Sequence, residues 1–362
     1  MTSHASLPQA VDLLSRLVAT PSLSREEDNT ATLLYQWLRE HGVDNAQRIY
    51  NNVWAMARPY NPALPTLMLN SHHDTVKPSP SYTRDPFNPT IENGCLYGLG
   101  SNDAGASAVA LALSFLELRE EELPFNLMLA LTAAEEVMDL KGMRSFLPHI
   151  AEQGIKIDMA IVGEPTGLQP AVAERGLVVL DGVTRGVTGH AARNEGVNAL
   201  YLAIDDINRL RDFKFDKESA TLGPVKISVT MINAGRQHNV VPEQCDYVVD
   251  VRTTDAYTNA ETVGILQKAV AHSTLTPRST RISASVIAPT HPLVASAVAL
   301  GKTPFISPTT SDMALMPGID SLKIGPGQSS RSHSADEYIR LDELDEALRF
   351  YPALIRNIST HL

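Results

Sequence analysis

Apolar residues change their spacing along the chain, and each spacing predicts a different kind of element. They recur every three or four positions over residues 7–18 and 34–38, which predicts two opening helices. Short, almost wholly apolar runs follow, separated by helix-like stretches such as 104–118, and these runs lie at residues 66–70, 126–132 and 158–163. Runs of this length are typical of strands buried on both faces of an α/β sheet.

Between about residues 172 and 286 the pattern changes to alternation, interrupted by two helical stretches. The resulting order is strand, helix, strand, strand, helix, strand. The strands are predicted at residues 176–186, 225–232, 245–253 and 280–286, and the helices at 198–211 and 259–272. This βαββαβ order is the ferredoxin-like pattern, a four-stranded antiparallel sheet with two helices on one face.

The first pattern returns after this insert, with a strand and loop at residues 321–327 and a closing amphipathic helix at 341–358. The sequence therefore predicts a discontinuous first domain, residues 1–173 and 285–362, that is interrupted by a second domain at 174–284. A length of 362 residues agrees with two or three domains.

Composition narrows the class of protein. Apolar residues make up 43% and charged residues 20%, which are ordinary values for a globular chain. The net charge of −11 offers no basic surface for a nucleic acid or an anionic membrane, so neither is expected as a partner. Two cysteines are too few for a disulfide framework, and the N-terminus does not resemble a signal peptide, which favours the cytoplasm.

Polar clusters follow four of the predicted strands. In open α/β sheets ligands bind at the carboxyl ends of strands, so these clusters are expected to converge. Histidines and carboxylates without cysteine are ligands for Zn²⁺, Co²⁺ or Mn²⁺, and two such ions sharing a carboxylate would suit hydrolysis. The clusters are Ser71-His72-His73-Asp74, Glu135-Glu136, Glu164-Pro165 and Ser332-His333-Ser334.

Competing motifs are incomplete. The stretch Gly98-x-Gly100-x-x-Asp103 lacks the third glycine of a dinucleotide fingerprint, and Gly301-Lys302-Thr303 lacks the first glycine of a phosphate-binding loop. Neither G-x-S-x-G nor H-E-x-x-H occurs, which leaves a serine hydrolase of the α/β-hydrolase type and a zincin unsupported.

Six motifs occur in the order found in the M20 metallo-aminoacylase and deacylase family, which the sequence resembles over essentially its whole length. Within that family it is most similar to acetylornithine deacetylases and their N-acyl-ornithine or N-acetylcitrulline relatives. The resemblance implies a metallo-aminopeptidase-like α/β catalytic domain with a mixed central sheet, interrupted by a ferredoxin-like lid and dimerisation domain, and hence a homodimer. The motifs are SHHDTV from residue 71, YGLGSNDA from 97, AAEE from 133, GEPT from 163, GHAA from 189 and SRSHSADE from 330.

The resemblance also implies a role for each motif residue in the first domain. Asp103 would bridge two divalent ions, with Zn²⁺ as the first expectation and Co²⁺ or Mn²⁺ as alternatives. His72 and Glu164 would complete one site, and Glu136 and His333 the other. Glu135 would be the general base. Asp74 would orient His72, in keeping with the carboxylate that commonly holds the second nitrogen of a histidine ligand.

Further implied roles concern the substrate. His190 would reach the active site of a partner subunit and stabilise the oxyanion, while Asn239 and Arg252 would bind the polar end of the substrate. Gly325, in a Gly-Pro-Gly loop, is a further substrate-binding candidate. Many relatives have lysine where this chain has Gly105, which leaves any role of that lysine open here. From the residues alone, Arg252 could equally be an exposed strand residue.

The expected reaction is hydrolysis of the N-acyl amide of an amino acid, with N²-acetylornithine to ornithine and acetate, a step of arginine biosynthesis, as the first choice. Alternatives are N-succinylornithine or N-acetylcitrulline deacylation, succinyl-diaminopimelate desuccinylation and dipeptide hydrolysis. A metal-retaining binding protein is the non-enzymatic alternative. Glu135 argues against it, because binding requires no base.

Overall fold

A computed structural model describes residues 6–193 and 195–362. The chain forms two compact units. The first comprises the chain up to Val172, Ile287–Phe305 and Ser311–Leu362, and the second comprises Ala173–Val286 and Ile306–Thr310. The short segment 306–310, which the sequence analysis places in the catalytic domain, belongs with the second unit, because its strand pairs with the strand at which that unit begins.

The strands of the described residues are numbered in chain order. They are β1 (Gln47–Ile49), β2 (Asn52–Met56), β3 (Thr66–His72), β4 (Thr90–Glu92), β5 (Cys95–Tyr97), β6 (Asn126–Thr132), β7 (Met159–Val162), β8 (Ala171–Glu174), β9 (Gly176–Arg185), β10 (Gly189–His190), β11 (Lys226–Ala234), β12 (Val240–Val241), β13 (Gln244–Thr253), β14 (Ser273–Pro277), β15 (Ser285–Val286), β16 (Phe305–Ser307), β17 (Asp320–Lys323) and β18 (Tyr338–Arg340).

The α-helices are numbered in the same way, and short helical turns occur at Ser101–Gly105, Asp312–Leu315 and Ser329–Arg331. Within the described ranges, none of the helices is both long and apolar enough to cross a membrane. The α-helices are α1 (Leu7–Val18), α2 (Asp28–Glu40), α3 (Ala106–Leu118), α4 (Met143–Glu152), α5 (Ala199–Asp212), α6 (Asn259–Ala269), α7 (Pro292–Ala299) and α8 (Leu341–Ile358).

A mixed sheet forms the centre of the first unit, which confirms the predicted fold class. Its order is β1-β2-β6-β3-β7-β17-β8-β15, with β16 also paired to β8. The four inner strands β6, β3, β7 and β17 are parallel, whereas the outer pairs are antiparallel. Every residue of β3 and β6 is buried, as the continuous apolar runs predict.

The two faces of this sheet pack into separate cores. Leu67 and Leu69 point to one core, and Met68 between them points to the other, because strand side chains alternate. Helix α3 packs on the leucine side against α1, α8 and β3, and every residue in it except Leu116 is buried. A helix that is apolar all round requires such burial. The carboxyl ends of the parallel strands are thereby held on a rigid support.

The second unit contains the predicted βαββαβ arrangement. Its four-stranded sheet has the order β11-β13-β9-β14, all pairs are antiparallel, and α5 and α6 pack against it. Its core includes Val178 and Leu180 of β9 with Val249 and Val251 of β13.

The fourth strand of this sheet differs from the prediction. It is Ser273–Pro277, whereas residues 280–286 contribute a single antiparallel bridge, between Ile282 and Leu177 of β9, and the short strand β15, which pairs with β8. The buried Asp206 carboxylate accepts hydrogen bonds from the backbone N–H groups of Ala271, His272 and Ser273. These bonds hold the chain just beyond the end of α6 and lead it directly into the strand.

Candidate metal centre

The predicted ligands of the first unit lie at the ends of neighbouring parallel strands. His72 is the last residue of β3, and Glu164 follows β7 by two residues. Glu135 and Glu136 follow β6, and His333 lies in the segment between β17 and β18. Because β6, β3, β7 and β17 are adjacent and parallel, their carboxyl ends deliver these side chains to one edge of the sheet.

Asp103 comes from the turn that precedes α3, and its two carboxylate oxygens face different histidines. Its Oδ1 lies 3.2 Å from Nε2 of His72, and its Oδ2 lies 3.7 Å from Nε2 of His333. Glu164 Oε1 lies 3.7 Å from Nε2 of His72, and Glu136 Oε2 lies 2.9 Å from Nε2 of His333. The arrangement therefore consists of two triads that share one carboxylate.

Each triad has the spacing of a metal site. In His72, Asp103 and Glu164, as in Asp103, Glu136 and His333, the potential ligand atoms all lie within 4.8 Å of one another. Glu135 joins a third group with His72 and Glu136, and its Oε2 lies 4.0 Å from Nε2 of His72. The structure thus brings all five predicted ligands and the predicted base together.

Asp74 makes hydrogen bonds that hold the backbone of this cluster in place. It is fully buried, and its carboxylate accepts hydrogen bonds from the backbone N–H groups of Glu135 (3.0 Å) and Glu136 (3.3 Å) and from the Ser24 hydroxyl (2.7 Å). Nδ1 of His72 lies 3.0 Å from the Asp74 carbonyl oxygen and 3.5 Å from its carboxylate. Hydrogen bonding at Nδ1 leaves Nε2 available for coordination.

Burial of so many carboxylates shifts their proton affinities. Burial, with the nearby Asp103 charge, raises the pKa of Glu164 to about 8, and burial with neighbouring carboxylates raises the pKa of Glu135 well above its usual value. Burial alone would lower the pKa of His72, but Asp103 and Asp74 raise it well above 6.5. The hydrogen bond to Glu136 raises the pKa of His333 to about 9.

The cluster is buried except at His333, whose side chain is 55% exposed, and it contains more carboxylates than histidines, so divalent cations would neutralise its excess negative charge. The donors are imidazole nitrogens and carboxylate oxygens with no sulfur, the set preferred by Zn²⁺, Co²⁺ and Mn²⁺ in hydrolytic sites. The residues present therefore fit two divalent ions that share Asp103.

Glycines shape the loops around the cluster. A Cβ at Gly325 would lie 2.6 Å from the carbonyl oxygen of Glu164, so the Gly-Pro-Gly loop packs directly on the backbone of a predicted ligand. The turn at Ser101–Gly105 carries Asp103, and the peptide bond that follows Asp103 is cis. A Cβ at Gly105 would collide with the carbonyl oxygen of Gly100. A lysine at this position would require the turn to move.

The other predicted site residues lie in the second unit. His190 and Asn239 belong to one small ribbon, in which β10 pairs with β12 and the Ala191 N–H donates to the Asn239 carbonyl. His190 is exposed, and its Nδ1 accepts a hydrogen bond from the backbone N–H of Ala192. The ribbon therefore presents the His190 imidazole to solvent.

Arg252 lies on the four-stranded sheet, on the face opposite the fully buried Val249 and Val251, as alternation along β13 predicts. Its guanidinium donates two hydrogen bonds to the Asp250 carboxylate, at 2.8 and 3.1 Å. A substrate carboxylate would have to compete with this pairing.

Two buried carboxylates beside the ligands, Asp312 and Glu337, were not predicted as site residues from the sequence. Asp312 accepts a hydrogen bond from the Thr132 hydroxyl at 2.8 Å, and burial raises its pKa to about 6. Glu337 is 1% exposed and accepts backbone N–H groups from the loop that carries Asp103. Glu337 belongs to the same motif as His333, which is the signal that could have identified it. The sequence around Asp312 carries no comparable signal.

Comparison with known proteins agrees with this geometry. The sequence model of Peptidase family M20/M25/M40 matches residues 68–357. The aminopeptidase PepT from Bacillus cereus ATCC 10987 superposes with a TM-score of 0.78 at 18% identity, over 98% of this chain and 100% of that one. The M20 family metallo-carboxypeptidase Sso-CP2 from Sulfolobus solfataricus gives 0.74 at 18% identity, over 97% and 99%.

A third solved structure is described as a dinuclear metal binding peptidase from the M20 family. This YXEP protein from Bacillus subtilis superposes with a TM-score of 0.72 at 17% identity, over 98% of this chain and 99% of that one. At such identities these likenesses show a shared fold. The family assignment made from the motifs is confirmed by the match over most of the sequence. The chain belongs to peptidase family M20/M25/M40 and is a hydrolase with the α/β metallopeptidase fold.

Proposed function

We propose that this protein hydrolyses the N-acyl amide of an amino acid at a centre of two divalent ions, with Zn²⁺ as the first expectation. One observation carries the proposal: the two oxygens of Asp103 face His72 and His333, which belong to separate triads. A bridging carboxylate between two sites is the arrangement of dinuclear hydrolases. His72 and Glu164 would hold one ion, and Glu136 and His333 the other.

Glu135 is the proposed general base. The bound ions would lower the pKa of a water molecule and polarise the substrate carbonyl. Glu135 takes the proton of the attacking water and returns it to the amine nitrogen as the amide bond breaks. Its side chain is 8% exposed and its backbone is fixed by Asp74, so it is held in one place. Its Oε2 lies 4.0 Å from Nε2 of His72, beside the predicted ligands, where it can reach a water molecule held by the ions.

His190 is proposed to donate a hydrogen bond to the carbonyl oxygen of the substrate amide as negative charge develops on that oxygen. Its exposure is compatible with action at the metal centre of a partner subunit. The second unit also exposes apolar side chains that suit an interface between two copies. Tyr201 and Ile204 on α5 are 66% and 41% exposed, and Met231 and Ile232 on the edge strand β11 are 64% and 50% exposed. Exposed edge strands with apolar residues favour pairing with another chain.

N²-acetylornithine is the proposed substrate, which would place the enzyme in arginine biosynthesis. In this proposal Arg252 binds the α-carboxylate after releasing Asp250, and Asn239 and Gly325 are further substrate-binding candidates. N-succinylornithine, N-acetylcitrulline and N-succinyl-diaminopimelate are the other acyl substrates. Dipeptide hydrolysis is the second candidate function, because the similar solved structures include peptidases and because Arg252 is already paired.

A comparison of kcat/KM on the Zn²⁺- and Co²⁺-loaded protein tests this choice. The substrates are the four acyl amino acids and a set of unblocked dipeptides. Loss of one charge-assisted contact should lower kcat/KM by roughly ten- to a hundredfold, so N²-acetylornithine should lead by that margin. If dipeptides lead instead, the substrate proposal is wrong while the metal centre stands.

A further inference from the structure

Glu337 attaches to the loop of Asp103 through four backbone contacts. Its Oε1 accepts the N–H groups of Asn102 (2.8 Å) and Asp103 (2.9 Å), and its Oε2 accepts the N–H of Gly100 (3.1 Å). Its own carbonyl oxygen accepts the N–H of Gly98 at 2.9 Å. A buried carboxylate with three N–H donors makes strong charge-assisted hydrogen bonds, and these define the path of the loop that presents Asp103.

The same segment of chain carries His333, four residues before Glu337. His333 and Asp336 have φ values of 57° and 53°, in the left-handed region that residues with side chains seldom adopt. Such conformations persist when surrounding contacts hold them. The contacts of Glu337 therefore act on a segment whose backbone needs support.

The three-stranded sheet β18-β5-β4 joins these two parts of the chain. Tyr338 pairs with Tyr97 across β18 and β5, and their rings pack at a tilt of 41° with centroids 5.3 Å apart. Arg331 lies over the Tyr338 ring at 4.5 Å, and Arg84 lies over the Tyr97 ring at 4.1 Å. The loop that leaves β5 carries Asp103, and the segment that enters β18 carries His333. Their side chains meet only because these strands pair.

We propose that Glu337 is a positioning residue that sets Asp103 and His333 relative to each other and so completes the site of the ion held by Asp103, Glu136 and His333. The inference rests on the two-ion centre proposed above. That site receives two of its three ligands from chain segments held by Glu337, whereas the other receives only Asp103. Removing the contacts of Glu337 should therefore weaken the Glu136–His333 site more than the His72–Glu164 site.

The test measures metal binding rather than turnover. Glu337→Gln keeps the size of the side chain but places an amide NH₂ group among backbone N–H donors, so at least one hydrogen bond is lost. Asp206→Asn is the matched control. Asp206 is also a buried carboxylate that accepts three backbone N–H groups, from Ala271, His272 and Ser273, but these belong to a segment that carries no predicted metal ligand. Zn²⁺ affinity is measured on the full chain by competition with a chromophoric chelator, together with Tm in EDTA and in Zn²⁺.

The wild type and Asp206→Asn should each bind two ions per chain, with affinities that do not differ between the two proteins. Glu337→Gln should bind the weaker ion about ten- to a hundredfold less tightly. The rise in Tm on adding Zn²⁺ should shrink accordingly, because ligand stabilisation follows affinity. A residue with only a structural role would lower the Tm in EDTA and leave both affinities unchanged, and that result overturns the inference.

Two further outcomes would also decide for or against the positioning role of Glu337. If Glu337→Gln fails to fold, Glu337→Asp, which keeps the charge and shortens the side chain, must show the same selective loss of one ion, and equal affinities would overturn the inference. A wild-type chain that binds a single ion contradicts the two-ion centre itself, and the positioning role of Glu337 falls with it. A failure of the proposed function is therefore seen in the wild type, and a failure of this inference alone is seen in the variant.

Discussion

Replacement of Glu135 by glutamine should nearly abolish turnover and leave the metal ligands in place. The side chains have the same size, so the packing of this 8% exposed residue is preserved. Glu135 lies outside the two triads that share Asp103, and its Oε2 is 4.0 Å from Nε2 of His72. Because burial already raises the pKa of Glu135, removal of its charge should not destabilise the fold.

The size of the effect follows from the role of the residue. A positioned general base contributes about 10²- to 10⁴-fold, which is about 2.7 to 5.4 kcal/mol in activation free energy at 1.36 kcal/mol for each factor of ten. The assay is kcat on the preferred N-acyl amino acid with Zn²⁺ in excess, together with the number of ions bound per chain. Turnover should fall within that range while both ions are retained.

Glu136→Gln is the comparison variant. Glu136 Oε2 lies 2.9 Å from Nε2 of His333, so loss of its charge should release the ion of that triad as well as slow the reaction. If Glu135→Gln loses metal as readily as Glu136→Gln, the roles of these adjacent residues are exchanged. If Glu135→Gln turns over at the wild-type rate, Glu135 is not the base. A wild type that turns over none of the substrates would instead support the non-catalytic binding protein.

Three further predictions follow from the same cluster. Asp103→Ala should weaken the binding of both ions, and His72→Ala mainly the binding of one, which elemental analysis after dialysis would measure. Equal effects of the two substitutions would argue against Asp103 as a bridging ligand. Mixing Glu135→Gln and His190→Ala protomers should restore one intact site per heterodimer, and no activity after verified subunit exchange would exclude action across the interface. The pKa of Glu164 is about 8 in the folded chain and about 4.5 in the unfolded chain. Between these pH values the metal-free folded chain therefore binds more protons than the unfolded chain. Its Tm should therefore fall as pH rises from 5 to 8, and Zn²⁺ should remove this dependence.

The four parallel strands of the large sheet and the polar residues that follow them could be predicted from the sequence alone, whereas the outer strands β1, β2, β8 and β16 were not predicted. Continuous apolar runs at residues 66–70 and 126–132 have no polar face, so they can be stable only where both faces of a strand are covered. Histidine or carboxylate directly after such a run must lie near a sheet edge, as His72 does after β3. The family motifs rest on the same local order of residues, which is why the family is identifiable before any coordinates are known.

The local pattern does not decide which of two similar segments forms the fourth strand of the smaller sheet. Residues 273–277 and 280–286 both alternate, but only a single bridge joins the second segment to β9, whereas the first pairs with β9 along its whole length. The chain just before and at the start of the first segment is held by hydrogen bonds to Asp206, from 65 to 67 residues away. The local pattern is also insufficient to predict the contacts of Arg252. Alternation places it on the correct face of β13, but its pairing with Asp250 depends on side-chain geometry that no periodicity records.

Tertiary structure alone decides which groups meet. Asp103 can bridge because its oxygens face one histidine 31 residues earlier and another in a distant segment that the pairing of β18 with β5 brings alongside. Glu337 finds its backbone donors more than 200 residues away, and nothing in its neighbouring sequence indicates that partner. Residue type and spacing set which chemistry a side chain can perform. Distances of a few ångströms between remote segments decide whether it does so, because coordination and hydrogen bonding act only at contact.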